Sequence, residues 1–373
     1  ERDSGGAITA GRGAGSIDID ADARLDATAG DLTLVAGPYA GSIVIDGASL
    51  HASGTVDLTA ESGQVRQEFL RDANGDVVID ASGASVINGL VSGGVLRAQT
   101  ETGIVLSTAV QRIELLRVLA AGNIELVNQT VLPPGQVGTA SDYLLQLDQA
   151  IVDDGSIRIT TYGSLVATLV QADGITDNND ILLAAFQAGG FRADLLLGRI
   201  VTDAARGDIF LKAEGRIQQA ASGVLRAEEL SVVSGRQGDS SAAGNRGIVD
   251  LVTDVSTLLL QTVAYADVNI EQSDTRLLVE SAVVADGTFK LTGAGIVELG
   301  LVRISANREQ TSADPGAGAG SPQVVALSTT AASAGRSRTK VLPAPGALFT
   351  WMLPPMASAR ARNERATARS CAA

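Results

Sequence analysis

The stretch GSIVIDGASLHASGTVDLTAESG, residues 41–63, contains two short runs of alternating aliphatic side chains. Successive side chains of a β-strand point to opposite faces, so Ile43 and Ile45 are predicted to share one face. Val56 and Leu58 share a face in the second run for the same reason. The residues predicted to face outward are Ser42, Val44, Asp46, Asp57 and Thr59. A single strand of about five residues cannot bury its apolar face, so this stretch predicts units that stack on one another.

Similar units, each with a glycine or small polar residue before alternating aliphatics, recur up to about residue 305, which is typical of a repeat array. The other copies span residues 15–20, 30–36, 75–81, 102–109, 122–128, 155–161, 179–185, 207–213, 246–253, 266–272, 287–293 and 293–300. The pattern of residues 108–121 fits a helix or a strand. Strands are predicted on both sides of it, so we expect a strand there as well.

Two polar stretches and the C-terminal region interrupt this pattern. Residues 129–142 contain Pro-Pro-Gly and residues 235–247 are rich in glycine, so both are expected to be loops that leave the array. Six of the nine prolines lie after residue 310, in a segment rich in Ala and Arg. We therefore expect a repeat domain at residues 1–309 and a disordered tail at residues 310–373.

The composition favours a narrow aliphatic interior. Hydrophobic residues make up 45% of the chain, whereas aromatic residues make up only 3%. The segment up to Gln310 has 21 Lys and Arg against 40 Asp and Glu, a net charge of −19. This acidic body argues against a nucleic-acid partner, which needs a basic surface. No apolar run reaches the length of a membrane-spanning helix.

The residues that carry most enzyme chemistry are scarce. One cysteine, Cys371, and one histidine, His51, exclude an internal disulfide and a Cys/His zinc cluster. His51 is expected in a turn or on the surface between two strands, and the pair Asp153–Asp154 before a glycine is expected in a turn. We therefore predict no catalytic residue and no bound cofactor.

Calcium is the one ligand for which the sequence offers candidate residues. Oxygen-bearing side chains recur at alternate positions in two acidic segments, as they do in calcium-binding loops. The candidate ligands are Asp72, Asn74 and Asp76 in the first segment, and Asp173, Asp177 and Asp180 in the second. The first segment has Gly83 where a bidentate glutamate would close an EF-hand loop. Solvated turns are the alternative interpretation of both segments.

The repeated unit resembles the large repetitive surface proteins of bacteria, namely filamentous-haemagglutinin-like adhesins and the passenger domains of autotransporters. The similarity lies in the glycine, small polar residue and alternating aliphatics at residues 15–19, 30–34, 41–45, 54–58, 122–126, 155–159, 207–211 and 287–291. This resemblance implies an all-β, right-handed parallel β-helix, export to the bacterial cell surface and a stalk or adhesive role.

These observations lead to one leading interpretation of function, one main alternative, and a third possibility of a passive passenger fragment whose function lies in flanking domains. The first is a non-enzymatic stalk or scaffold segment of a longer secreted or cell-surface protein. Its expected partners are surface glycans, other cell-surface proteins and the domains that flank the segment. The alternative is a β-helical polysaccharide-degrading enzyme, either a lyase or a glycoside hydrolase, which would carry a cluster of carboxylates on one groove.

Overall fold

The structure is a computed structural model of the chain. It describes residues 8–10, 15–20, 23–39, 41–74, 76–79, 86–130, 138–174, 179–203, 205–236, 247–273, 276–293, 296–304 and 326–329. The chain divides into two compact units, residues 1–338 and 339–373. The second unit lies outside the described residues, as does most of the predicted tail.

Strands account for nearly all regular structure in the described residues, and none of these residues is helical. The strands are β1 (Ile8–Ala10), β2 (Ile17–Ile19), β3 (Arg24–Ala27), β4 (Leu32–Ala36), β5 (Ile43–Ile45), β6 (Ser49–Ala60), β7 (Gln64–Gln67), β8 (Leu90–Thr100), β9 (Gly103–Ala121), β10 (Ile124–Asn128), β11 (Leu144–Asp154), β12 (Ile157–Tyr162), β13 (Ser164–Ala172), β14 (Ile181–Phe186), β15 (Leu195–Thr202), β16 (Asp208–Ala213), β17 (Ile217–Ser234), β18 (Gly247–Gln272), β19 (Arg276–Gly293), β20 (Ile296–Ile304) and β21 (Ala326–Thr329). Because β9 covers residues 108–121, the prediction of a strand there is confirmed.

The first unit is a parallel β-helix, as the sequence predicted. The strands pair in parallel between successive coils, in some cases with a strand further along the chain, as β12 does with β14, and in others with the next strand, as β17 does with β18. For example, Ile157 of β12 is in register with Ile181 of β14, which is in register with Ile209 of β16. Two parallel paired strands need a long connection that returns the chain to the start of the second strand. Here the remaining strands and corners of the coil form that connection.

The interior is built from aliphatic side chains that repeat at one position of successive coils. One set of side chains, called here the aliphatic column, follows the register of the strands from β2 to β20. Its members are Ile17, Ile43, Val65, Ile104, Ile124, Ile157, Ile181, Ile209, Leu230, Leu258, Val279 and Leu299. Members from Ile43 to Val279 are fully buried, whereas Leu299 in the last described coil is 43% exposed. Burial of each such side chain contributes about 1.5–3 kcal/mol.

The predicted orientation of the opening stretch is confirmed. Ile43, Ile45, Val56 and Leu58 are all fully buried. The residues predicted to face outward are half-buried or exposed, including the apolar Val44. The period-2 pattern is therefore sufficient to assign the inner face of a strand in this fold.

Coil length varies because some corners carry insertions. Val91 pairs with Thr108 after a short coil, whereas Ser49 pairs with Leu90 after a coil more than twice as long. The long coil contains an antiparallel excursion between Glu68 and Asn88, in which Leu70 N donates to Val86 O at 2.7 Å.

The sequence prediction of a further stacking unit at residues 75–81 is wrong. Val77 pairs in antiparallel fashion with Arg71 inside the excursion, and Ile79 is 54% exposed. This segment has the alternating aliphatic residues of the coils, but it pairs with the other arm of its hairpin rather than with a neighbouring coil. Within the two predicted loops, residues 131–137 and 237–246 lie outside the described residues.

Candidate functional site

A row of polar side chains runs along one corner of the β-helix, immediately before the aliphatic column. In this row, called here the corner ladder, a side-chain oxygen of one coil accepts a hydrogen bond from a backbone N–H of the next coil. Ser156 N donates to Asn123 Oδ1 at 2.9 Å, Asp180 N to Ser156 Oγ at 3.3 Å and Asp208 N to Asp180 Oδ1 at 3.1 Å. The ladder continues with Glu229, whose N–H donates to the Asp208 carboxylate.

The corner ladder explains why the repeated unit has a small polar residue before its first aliphatic residue. The same bond occurs in the first coils, where Ser42 N donates to Ser16 Oγ and Gln64 N donates to Ser42 Oγ, both at 3.2 Å. A backbone N–H at a corner lies outside the strand ladder and needs an acceptor. Serine, asparagine and aspartate supply that acceptor on a short side chain.

Three of the ladder positions form an acidic cluster. Asp208 is in register with Glu229 and bonded to Asp180, and Glu228 lies close to it. Partial burial raises the pKa of Asp208 to about 7, and the negative charges of Glu229, Asp180 and Glu228 add to the effect. The hydrogen bond from Glu229 N opposes the rise. Asp208 therefore takes up a proton near neutral pH.

A partly protonated carboxyl beside ionised carboxylates is an arrangement that acid–base catalysis can use. The neighbouring coils argue for a structural role, because Asn123 and Ser156 occupy equivalent positions and accept the same N–H bond. Neither of these side chains titrates near neutral pH. The hydrogen bond to the next coil is thus shared by all the residues of the corner ladder. The raised pKa is a property of Asp208, which has acidic neighbours.

We expect Asp208→Asn to stabilise the protein at pH 8 and to have little effect at pH 4. The pKa of Asp208 is raised in the folded state, so its stabilising protonation is complete below about pH 4 and is lost as pH rises through about 7. Asparagine is neutral and keeps an oxygen for the Glu229 N–H. The gain at pH 8 is expected to be about 2 kcal/mol once the partial exposure of the side chain is allowed for.

Urea unfolding at pH 4, 6 and 8 measures this effect. Asp46→Asn is the matched control, since Asp46 is exposed at the end of β5 and lies outside the acidic cluster. If Asp208→Asn changes the free energy of unfolding equally at pH 4 and pH 8, the raised pKa of Asp208 in the folded protein is contradicted.

The structure places the first group of calcium candidates in the turn of the antiparallel excursion. Asp72 Oδ1 accepts hydrogen bonds from Asn74 N at 2.8 Å and from Asp76 N at 3.0 Å. The carboxylate of Asp72 thus caps its own turn, as aspartate commonly does.

The second group of calcium candidates is divided between different neighbours. Asp173 accepts a hydrogen bond from Gln171, and Asp180 belongs to the corner ladder. Asp177 lies outside the described residues. Within the described part of the chain, no three His, Cys, Asp or Glu side chains converge on a point that could hold a metal ion. Calcium binding stays a prediction.

His51 does not lie between two strands, as the sequence predicted, but within β6. It is half-buried, and its Nδ1 lies 3.0 Å from Ser92 Oγ in the next coil. Ser92 Oγ also lies 3.3 Å from the carbonyl oxygen of Leu50, so its single proton has two acceptors. Asp26 is in register with His51 on the preceding coil, and its Oδ2 accepts from Arg24 at 2.8 Å. The local alternation gave no sign that His51 would continue the strand.

Three further acidic residues lie within or at the end of strands. Asp153 and Asp154 are the last residues of β11, before Gly155 at a corner. Glu125 is half-buried, and burial raises its pKa, while the charge of Arg158 on the next coil lowers it.

Sequence reasoning missed Asp208, Glu228 and Glu229 as a cluster. The available signal was the position of Asp208 and Glu229 directly before a residue of the aliphatic column, but the varying coil lengths hid which coils are neighbours.

Comparison with protein-family models, with curated proteins and with solved structures found no match. Among the residues that the structure describes, no helix is long and apolar enough to cross a membrane.

Proposed function

We propose that this β-helix is a rigid stalk or scaffold segment of an extracellular or cell-surface protein, where it spaces other domains and presents its corners to partners. The observation that carries the proposal is the aliphatic column, whose members are joined by parallel pairing without a break. At about 4.8 Å per coil, the column is about 50 Å long.

Two features support a mechanical role. The strand ladders run along the helix axis, so that separating two coils breaks several hydrogen bonds together with the packing of the interior. The corner ladder adds a side-chain hydrogen bond between successive coils at the corner that precedes β12, β14 and β16. A segment of this kind resists bending and stretching without any moving part.

Ion pairs on the outer face also connect successive coils. Arg97 pairs with Glu114, and Arg112 pairs with Asp148 at 2.7 Å. The hydrogen bond and charge of Asp148 raise the pKa of Arg112. These pairs are solvent-exposed and screened by salt, so they fix register more than they add stability. The net charge of −14 suits a surface that stays in solution.

Single-molecule pulling from the two ends of the chain tests the stalk proposal. We expect stepwise unfolding, one or a few coils at a time, since each coil contacts mainly its neighbours. A coil such as the one that runs from Ile157 to Ile181 should release about 80 Å of chain. Extension without any resisting step would contradict a mechanical role.

The acidic cluster favours a second candidate, a polysaccharide-degrading enzyme. Carboxyl groups about 5–5.5 Å apart, one of them with a raised pKa, serve retaining glycosidases. Asp180, Asp208 and Glu229 sit on successive coils, and the pKa of Asp208 is about 7. Incubation with soluble polysaccharides distinguishes the two candidates. Release of reducing ends or unsaturated products by the native chain, but not by Asp208→Asn, would establish the enzyme; we expect no release from either.

A further inference from the structure

Two pairs of aromatic side chains flank one turn of the β-helix, although they come from separate parts of the chain between Tyr143 and Phe191. Tyr162 and Phe186 stack with their ring centroids 6.0 Å apart. Tyr143 and Phe191 stack at 5.4 Å. The Tyr143 ring also lies against Gly189, where an added Cβ would collide with it. The turn from Phe186 to Phe191 therefore joins the two pairs into one group, called here the aromatic corner.

The turn that carries Phe186 and Phe191 is held in place by several bonds. Phe191 N donates to Ala188 O at 2.9 Å, and two glycines with positive φ, Gly189 and Gly190, form the tip. Gln187 N donates to Glu214 Oε2 at 2.7 Å. A surface that is already ordered loses less entropy when it binds a ligand.

The rings of the aromatic corner are half-buried, unlike the side chains of the interior. Among the described residues, aliphatic side chains fill the interior, and the ring of Phe289 is buried among them with 1% exposed. Tyrosine and phenylalanine rings that keep an accessible face can pack against the C–H face of a sugar ring, and a tyrosine hydroxyl adds a hydrogen-bonding group.

Positive charge accompanies these rings in an otherwise acidic chain. Lys212, one of three lysines in the sequence, places Nζ 4.8 Å from the centroid of the Phe186 ring. Arg236 is exposed and donates to the side chain of Gln187. Among the described residues, Lys212 makes no ion pair.

The carboxylates around the aromatic corner are occupied by backbone N–H groups. Glu214 accepts from Gln187 N, and Asp194 accepts from Arg216 N at 2.7 Å. Asp142 accepts from Thr139, which lowers its pKa. A hydrogen bond does not remove the charge of a carboxylate, so the cations beside the rings and their turn, Lys212 and Arg236, act within a surface of mixed charge.

We propose that the aromatic corner binds acidic polysaccharide, with sugar rings stacked on Tyr143, Tyr162 and Phe191 and sugar carboxylates facing Lys212 and Arg236. This inference rests on the proposed adhesive stalk and names its ligand class. The stacking supplies contact area, and the cations select uronic-acid polymers over neutral ones.

Binding of polygalacturonate and of neutral dextran to the full chain, measured by biolayer interferometry at low and high salt, tests the proposal. We expect polygalacturonate to bind in a salt-sensitive manner and dextran to bind far more weakly. Tyr162→Leu should weaken polygalacturonate binding by about tenfold. Lys212→Met, which keeps an apolar contact with Phe186, should weaken binding and reduce its salt dependence.

Tyr39→Leu is the matched control, because Tyr39 is 77% exposed and lies far along the chain from the aromatic corner. It should bind polygalacturonate as the native chain does. No binding of polygalacturonate, or equal binding by the native chain and both corner variants, would overturn the proposal, and so would equal binding of dextran. The pulling result does not depend on any of these outcomes, so failure of the ligand assignment is distinguishable from failure of the stalk.

Discussion

Ile45→Asp is expected to lower the free energy of unfolding by about 4 kcal/mol or more. Ile45 is fully buried in β5, between Ile19 of the preceding coil and Gln67 of the next. An aspartate there must lose its hydration or take up a proton, and the aliphatic packing of three coils is lost as well. The loss of stability extends to the neighbouring coils, because each coil is stabilised by its interfaces with the coils on either side.

Gln67 is the one polar neighbour that could reduce the effect of Ile45→Asp. Its side chain is buried, and its amide nitrogen has no hydrogen-bond partner within the described residues. The two N–H donors of this amide group satisfy only part of an ionised carboxylate, which has about four acceptor sites. Partial rescue by Gln67 is therefore expected to leave most of the penalty in place.

Asp46→Ala is the control for Ile45→Asp, since it alters the adjacent residue on the exposed side of the same corner. Its effect should stay within about 0.5 kcal/mol. Thermal and urea unfolding followed by circular dichroism measure both variants. Comparable losses of stability in the two variants would contradict the inward assignment of Ile45.

The fold was predictable because its main signal is local. Alternation alone placed Ile43, Ile45, Val56 and Leu58 on the inner face, where the structure has them. Alternation also misled at residues 75–81, where Val77 and Ile79 belong to a hairpin outside the coils. A strand pattern states which side chains share a face, but not which strand will be the partner.

The candidate sites were not predictable because they depend on the register between coils. Asp180, Asp208 and Glu229 come together only if two coils of unequal length are aligned. The meeting of Tyr143 with Phe191 depends in the same way on the length of the intervening coils. When the coils differ in length, the sequence does not show which residues of successive coils are neighbours. A repeat of constant length would have shown it.

Gly155→Ala is expected to cost about 3 kcal/mol, because two separate penalties act at this corner. The φ of Gly155 is +142°, a conformation that L side chains rarely adopt. An added Cβ would collide with Gly122 O and lie 2.8 Å from Gly122 C, so backbone atoms of the preceding coil block it. Because Ser156 of the corner ladder follows, a shift of this backbone also disturbs the bond between Ser156 N and Asn123 Oδ1.

Gly15→Ala separates the two penalties at Gly155. Gly15 occupies the equivalent corner of the first coil, with a φ of +152° and no atom within 4 Å of an added Cβ. It carries the conformational penalty alone, so its cost should be about 1–2 kcal/mol. Urea unfolding of both variants measures the difference. If Gly155→Ala is no more destabilising than Gly15→Ala, the close approach of successive coils is not the reason for glycine at this corner.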